Sequence, residues 1–173
     1  VHFDIDETSI PPERIRLALA RYLPPGISAL ASGPVADDFH ACFSAVSRTY
    51  RYRFVFPPLF PWDIRYRALF PHSYDQGRCA ATLAPLIGRH DFTSFSLKDC
   101  DAATRVRDVR RIDVVARTGG FDILVEANGF LRRMIRMIAG TFLVAYTASD
   151  PEEYMAGVLA GRDNALSGAP APP

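Results

Sequence analysis

Two alternating runs of residues separated by a glycine turn constrain the fold of this chain most strongly. Residues 105–117 read RVRDVRRIDVVAR, residues 121–128 read FDILVEAN, and TGG stands between them. Strands joined by a short turn that contains glycine form a β-hairpin, and a two-residue period gives each strand one apolar face. The sequence therefore predicts an antiparallel pair with these residues among its alternating apolar positions: Ile112, Val114, Phe121, Ile123 and Val125.

A further strand is predicted over residues 47–56, where the segment RTYRYRF alternates arginine with aromatic residues. The alternation puts Tyr50 and Tyr52 on one face with Phe54, and Arg51 and Arg53 on the other. Taken alone, this pattern is more typical of a half-buried strand with its arginines in water. The alternative is a nucleic-acid surface, in which arginines pair with phosphates and rings stack on unstacked bases.

Helices are predicted before and after these strands. Residues 10–23 follow a possible strand end, VHFDID, and residues 74–88 carry apolar residues at helical spacing. Residues 129–146 form an amphipathic pattern with Arg132, Arg133 and Arg136 on its polar side. The last helix begins near Ser149, which is spaced from Glu152 as in a capping box, with Pro151 in its first turn.

This order of elements predicts an α+β fold, an antiparallel sheet with helices on one face. The turn-rich segment PPGISALASGPVADDF places a junction near residue 38, which separates residues 1–38 from residues 39–173. Because helices cover one face of such a sheet, the other face is open for binding.

The overall charge excludes a generally basic nucleic-acid binder. Twenty Lys and Arg residues balance nineteen Asp and Glu residues, so any contact with a polyanion has to come from local patches. Such patches exist: the hairpin adds Arg105, Arg107, Arg110 and Arg111 to those of the RTYRYRF strand and the amphipathic helix. Clustered arginines on neighbouring elements favour a groove that follows a nucleic-acid backbone.

The cysteines indicate the compartment. Cys42, Cys79 and Cys100 form an odd number without a CxxC pair, which is typical of the reducing cytoplasm. His40 and Cys42 could begin a metal site, although no second close pair accompanies them. The sequence shows no membrane-spanning run and no signal-peptide pattern, and it opens on Val1 as if cut from a longer chain.

The sequence contains no familiar catalytic motif that would identify a nucleophile. His90 and Asp91 are adjacent, but neighbouring residues on a strand face opposite ways, so they are not expected to cooperate. Asp91 is interpreted as a turn or capping residue, and Phe92 and Phe95 as core residues. A GxSxG motif, a phosphate-binding glycine loop and a dinucleotide fingerprint are all absent from the sequence.

Three segments, in this order and at these separations, resemble the tRNA pseudouridine synthases of the TruA type: DDFHACFSAVSRTYRYRF, GRHDFTSF and GFLRRMIRMIAGTFL. The tail SGAPAPP also resembles the start of the closing APA-x-GLYL segment of that family. The resemblance implies that residues 1–38 end the N-terminal half of the synthase fold and residues 39–173 form most of its C-terminal half. It also implies a homodimer that acts on uridines of the tRNA anticodon stem-loop, without a metal or organic cofactor.

The resemblance assigns roles to individual residues. In the family, an aspartate attacks a nucleotide flipped out of the RNA helix, and the uracil is released, turned and reattached through C5. Tyr50 matches the tyrosine that stacks on the target uracil, and Arg136 matches the arginine that pairs with the aspartate. The remaining expected RNA contacts are Phe39, His40, Phe43, Arg48, Arg51, Arg132 and Arg133.

Two departures from the family pattern affect these expectations. Cys42 stands where the family usually has an arginine, which removes one expected RNA contact. The loop GRTDAGVH, which carries the nucleophile, is absent, and no aspartate in the sequence has that context. Two other interpretations stay open at this point: a non-catalytic RNA-binding module, and a metal-binding domain that uses His40, Cys42 and another Cys or His.

The absence of the GRTDAGVH loop predicts that this polypeptide alone is inactive. RNA docking and a stacking ring cannot replace an attacking carboxylate. The measurement is tritium release from tRNA labelled at C5 of uridine, and the expected result is no release above background. Turnover by the isolated chain would contradict the prediction.

Overall fold

The computed structural model describes residues 1–5 and 10–172. The chain divides into two compact units, Val1–Ala45 and Val46–Pro173. The division lies several residues after the junction predicted near residue 38. The assignment of residues 1–38 and 39–173 to two halves of a synthase fold stays a prediction.

In its described residues, 1–5 and 10–45, the first unit contains one short helix and a long irregular segment. A 3₁₀ turn, Pro12–Arg14, leads directly into α1, Ile15–Ala20. The hydroxyl of Ser32 donates to the carbonyl of Pro12 at 2.7 Å and accepts from the backbone N–H of Arg16 at 3.0 Å. The strand predicted for VHFDID is wrong for residues 1–5, which form no strand, and Asp6 lies outside the described residues.

The second unit is built on a five-stranded sheet. Its strands are β1 Arg48–Val55, β2 Ala68–Leu69, β3 Gly88–Asp91, β4 Val106–Arg117 and β5 Gly120–Ala127. Their order across the sheet is β2-β1-β5-β4-β3. The predicted α+β fold is confirmed. Every pairing in the sheet is antiparallel, as predicted, except the two-residue pairing of β1 with β2 at one edge. The connection between them returns the chain to the starting end, and β2 therefore runs parallel to β1.

The predicted hairpin is confirmed and fixes the centre of the sheet. Strands β4 and β5 pair from Arg117 and Gly120 at the turn to Val109 and Ala127 at the far end. Gly119 has a φ of 73°, a conformation that favours glycine. A Cβ at Gly120 would overlap the backbone oxygen of Phe54, so glycine allows β1 to approach β5 closely.

Three helices cover one face of this sheet: α2 Gln76–Leu83, α3 Met134–Ala145 and α4 Pro151–Gly161. The capping residue of α4 is Asp150, whose carboxylate accepts from the backbone N–H of Glu153 at 2.9 Å. The predicted capping box at Ser149 is therefore wrong by one position, because either side chain type can cap a helix. Pro151 occupies the first turn as predicted.

An aromatic core joins the sheet to the helices. The ring of Phe121 on β5 lies 5.0 Å from those of Phe54 and Phe70 and 4.9 Å from that of Tyr74, measured between centroids. Phe142 of α3 lies 5.7 Å from Phe54, so the even-numbered positions of β1 face the helices. Phe92 and Phe95 are fully buried as predicted.

The GRHDFTSF segment has the turn-forming role that its sequence predicts. The carboxylate of Asp91 accepts from the backbone N–H of Thr93 at 3.0 Å and from its hydroxyl at 2.6 Å. These bonds, led by the one from the Thr93 hydroxyl, lower the pKa of Asp91. His90 bonds through Nε2 to the carbonyl of Ile87 at 2.8 Å. Asp91 is therefore a turn residue, and the two side chains do not form a pair.

Replacing Phe121 with alanine tests the aromatic core. We expect Phe121→Ala to lower the free energy of unfolding by about 3–5 kcal/mol, because a fully buried ring leaves a cavity among its neighbours. Val144→Ala, at a half-exposed position of α3, is the matched control and should change the free energy of unfolding by less than about 1 kcal/mol. Urea unfolding measures both, and equal effects of the two substitutions would contradict this description of the core.

Candidate active site and RNA-binding residues

Strand β1 carries Tyr50 out of the core towards solvent. Tyr50, Tyr52 and Phe54 share the helix-covered face, and their exposed fractions fall along the strand from 50% to 9% to 2%. The ring of Phe130 meets that of Tyr50 edge-on, with centroids 4.8 Å apart. Tyr50 therefore presents a supported but accessible ring at the margin of the core.

Arg136 lies in the first turn of α3 and is tied to the end of the chain. Its Nε donates to the carbonyl of Ala171 at 2.7 Å, and the backbone N–H of Ala171 donates to the carbonyl of Arg136 at 2.9 Å. The Nε bond uses only one of the five N–H donors of the guanidinium. Among the described residues, Arg136 forms no ion pair with a carboxylate.

Tyr52 links the strand to the same chain end. Its hydroxyl donates to the carbonyl of Pro172 at 2.6 Å, one residue after the carbonyl that Arg136 contacts. Burial raises the pKa of Tyr52 to about 12, and the positive charge of Arg136 acts in the opposite direction. Tyr52 is thus close enough to Arg136 to feel its charge. Tyr50 is two positions before Tyr52 in β1 and on the same face, so the structure places Tyr50 and Arg136 on one side of the sheet.

The chain end reaches this position by packing closely against α3. The backbone N–H of Gly168 donates to the hydroxyl of Thr141 at 3.0 Å. At Gly140 a Cβ would overlap the carbonyl oxygen of Ala169. Residues 167–172 form no strand, although their sequence resembles the start of a closing strand. The helix and the tail therefore meet through backbone atoms, with glycine on both sides.

The segment before α3 differs from its prediction. Arg132 and Arg133 precede the helix instead of lying on its polar side, because α3 begins at Met134. Arg133 has a φ of 61°, a left-handed conformation that prevents the helix from extending back to Phe130 as the apolar spacing suggests. Arg132 reaches Asp99 at 3.4 Å in an exposed ion pair. Both arginines are exposed beside the first turn that carries Arg136.

Arg48 and Arg51 lie on opposite faces of β1. The side chain of Arg48 donates to the carbonyl of Asn128 at 3.3 Å, on the Tyr50 side. Arg51 approaches Asp122 at 3.7 Å on the face away from the helices. A single RNA segment on the Tyr50 side is thus within reach of Arg48 and not of Arg51.

The remaining expected RNA contacts, Phe39, His40 and Phe43, belong to the first unit. The ring of His40 stacks on Phe43 at 4.2 Å, and its Nδ1 accepts from the backbone N–H groups of Cys42 and Phe43 at 3.1 Å each. Phe43 is exposed. His40 therefore organises a tight turn that displays an aromatic ring.

The described residues do not support the metal-binding alternative. No group of three or more His, Cys, Asp or Glu side chains that could hold a metal ion occurs at residues 1–5 or 10–172. Instead, the Nδ1 atom of His40 accepts two backbone hydrogen bonds in its own turn. Nor does any helix in the described ranges have the length and apolar character needed to span a membrane.

Several contributors to the site have no clear sequence signal. Ala171 and Pro172 act through backbone carbonyls, which any residue type provides. Phe130 has the apolar spacing of a core residue, yet it also supports the ring of Tyr50. Of the contributors named above and Tyr52, only Tyr52 has a sequence signal, because the alternation of β1 puts it on the same face as Tyr50.

A comparison with protein-family models and a comparison with individual proteins both lead to the same enzyme family. A family model described as tRNA pseudouridine synthase matches residues 83–173. The chain is 36% identical to tRNA pseudouridine synthase A of Xanthomonas euvesicatoria over 174 aligned residues, which cover all of this chain and 67% of that protein. It is 34% identical to the proteins of the same name from Stenotrophomonas maltophilia and Bacillus pumilus, which it covers to 68% and 70%.

Exchanging Gly140 for alanine tests how the chain end holds Arg136. We expect Gly140→Ala to lower the free energy of unfolding by about 1–3 kcal/mol and to displace the tail, because the added methyl group overlaps Ala169. Hydrogen exchange at the amide of Ala171, which is bonded to Arg136, should accelerate.

Gly157→Ala is the matched control in α4, since a Cβ there meets nothing within 4 Å. It should stabilise the chain by up to about 1 kcal/mol through helix propensity and leave the Ala171 amide unchanged. Unchanged exchange at Ala171 in Gly140→Ala would show that the tail does not depend on this close approach.

Proposed function

Because this chain belongs to the tRNA pseudouridine synthase family, an isomerase family, we propose that Tyr50 and Arg136 line the pocket that receives the target uridine. The main support for the proposal is that both side chains lie on the helix-covered face. Tyr52, next to Tyr50 on that face, and Arg136 both bond to the end of the chain. An exposed ring on the same face as a partly buried guanidinium offers a flipped uracil a stacking surface and offers a carboxylate a cationic partner.

Each side chain has a separate task in this proposal. Tyr50 stacks on the uracil, and its T-shaped contact with Phe130 keeps the Tyr50 ring in place. Arg136 holds an attacking carboxylate ionised, since a neighbouring positive charge favours the charged form. Its availability supports this role, because within the described ranges the Arg136 side chain bonds only through Nε, to the backbone carbonyl of Ala171.

The aspartate implied by the family resemblance is not assigned to any residue of this sequence. Two aspartates of the second unit serve other purposes: Asp99 pairs with Arg132 on the surface, and Asp91 is held by Thr93. The proposal therefore gives this chain the binding and charge-stabilising part of the reaction.

We further propose that the RNA is the anticodon stem-loop of tRNA, that the protein acts in the cytoplasm and that it works as a homodimer. The anticodon and homodimer proposals are supported by the family resemblance, and the cytoplasm by the cysteine pattern. Arg48, Arg132 and Arg133 are the phosphate contacts proposed on the Tyr50 side. Phe39, His40 and Phe43 of the first unit are proposed separately as RNA contacts of that unit.

The experiment is a comparison of Tyr50→Ala and Tyr50→Phe in binding to a synthetic anticodon stem-loop. Loss of a stacking ring costs about 1–3 kcal/mol per base, so Tyr50→Ala should weaken binding by about 5- to 150-fold. Tyr50→Phe keeps the ring and should bind nearly as the parent chain does. Fluorescence anisotropy gives the dissociation constants.

Two results would contradict the proposal. The first is equal binding by the alanine and phenylalanine variants, which would mean that no base stacks on residue 50. The second is equal affinity for the anticodon stem-loop and for the stem-loop of the T arm, which would remove the proposed choice of substrate. The non-catalytic RNA-binding alternative differs because it requires no contact between Tyr50 and a flipped uridine.

A further inference from the structure

A cavity of about 300 Å³ opens on the face of the sheet that the helices leave uncovered. Its walls come from β1, from the turn between β4 and β5, and from the segment that leads into β2. Four arginines dominate the lining, and the complete set is Arg51, Arg53, Phe54, Arg67, Arg117, Thr118, Gly120 and Asp122.

The acidic groups at this cavity do not balance its arginines. Asp122 is 6% exposed and accepts from Nε of Arg117 at 3.1 Å, with Nε of Arg51 at 3.7 Å. Arg67 pairs with Asp63 at 3.3 Å. Within the described part of the chain, Arg53 forms no ion pair. Four guanidinium groups thus face two carboxylates, which leaves an excess of positive charge.

The geometry of the ion pairs leaves donors for a ligand. Both contacts to Asp122 use the Nε atoms of Arg51 and Arg117, so the terminal Nη groups are not spent on that carboxylate. Arginine presents its N–H groups as a planar fork that matches two oxygens of a phosphate. Asp122 therefore fixes two arginines in place without neutralising the cavity.

An aromatic platform belongs to the same segment as Arg67. The rings of Phe60 and Trp62 stack with centroids 4.8 Å apart and planes within 6° of each other. Trp62 is 70% exposed, and Asp63, its neighbour in sequence, anchors Arg67. Exposed rings and arginines in one segment are typical of surfaces that bind nucleic acid by stacking and by phosphate contacts.

We propose that this cavity, the four-arginine pocket, binds the phosphodiester backbone of tRNA at a distance from the target uridine. The inference rests on the proposed function, because it takes tRNA as the substrate. The pocket and Tyr50 lie on opposite faces of β1, but only the two-residue strand β2 separates β1 from the edge of the sheet. A large RNA can reach both faces around so short an edge.

The test is the salt dependence of tRNA binding by the full 173-residue chain and two variants, Arg53→Gln and Arg51→Gln/Arg53→Gln. Each lost phosphate contact should reduce the slope of log Kobs against log salt concentration by about 1. Arg53→Gln should therefore lower the slope by about 1 and the double variant by about 2. Arg53→Gln keeps the Asp122 contacts intact, so it decides the question if the double variant folds poorly.

Arg89→Gln is the matched control, because it removes one exposed positive charge from β3, which is not part of the pocket. Its slope should equal that of the parent chain. An unchanged slope in Arg53→Gln, or no tRNA binding by the parent chain, would overturn the proposal. So would a loss of self-association in sedimentation at an unchanged slope, since the pocket would then be a contact between protein chains.

The outcome is separable from that of the proposed active site. Suppose that Arg53→Gln changes the salt slope but Tyr50→Ala leaves the affinity unchanged. The proposal for the four-arginine pocket then stands, and the proposed uridine site is wrong. The reverse result retains the uridine site and eliminates the pocket.

Discussion

The two-residue period of β1 determines where the functional side chains lie. Because this strand pairs with β5 along its full length, every even position faces the helices and every odd position faces away from them. Phe54 fixes the register by packing into the aromatic core, and Tyr52 and Tyr50 follow on the same face with increasing exposure. A shift of one residue would exchange the rings with the arginines and destroy both surfaces.

The second constraint is the backbone contact between α3 and the chain end. Arg136 and Ala171 exchange two hydrogen bonds, one through the guanidinium and one through the main chain. Glycines at 140 and 168 permit this approach. The contact holds a guanidinium at the margin of the core, where its charge reaches Tyr52. In the proposed reaction, the same guanidinium keeps an attacking carboxylate ionised.

The parts of the fold that depend on local patterns could be predicted from sequence. The β4–β5 hairpin and β1 follow from alternation and a glycine turn, and Asp91 follows from its turn context. Strand β2 could not be predicted, because two residues carry no periodicity and their parallel pairing depends on the path of the preceding segment. The start of α3 could not be predicted from the apolar spacing, which continues back to Phe130, whereas the left-handed conformation of Arg133 makes the helix begin only at Met134.

The candidate site could be predicted only in part, because some of its groups are backbone atoms. Tyr50 and Arg136 are identified by motifs, but the groups that connect them are the backbone carbonyls of Ala171 and Pro172. Every residue has a backbone carbonyl, so residue type does not show which carbonyls will accept a functional hydrogen bond. The four-arginine pocket was hidden as well, because Arg53, Arg67 and Arg117 belong to three separate segments that meet only in the folded sheet.

Photochemical cross-linking tests most directly whether the Tyr50 side of β1 receives the target base. An anticodon stem-loop that carries 5-iodouridine at the target position would be irradiated in complex with the chain, and the adduct would be located by mass spectrometry. The account predicts an adduct on Tyr50, whose ring is exposed and stacks on the base. An adduct confined to the opposite face of the sheet, at Arg51 or Arg53, would contradict it.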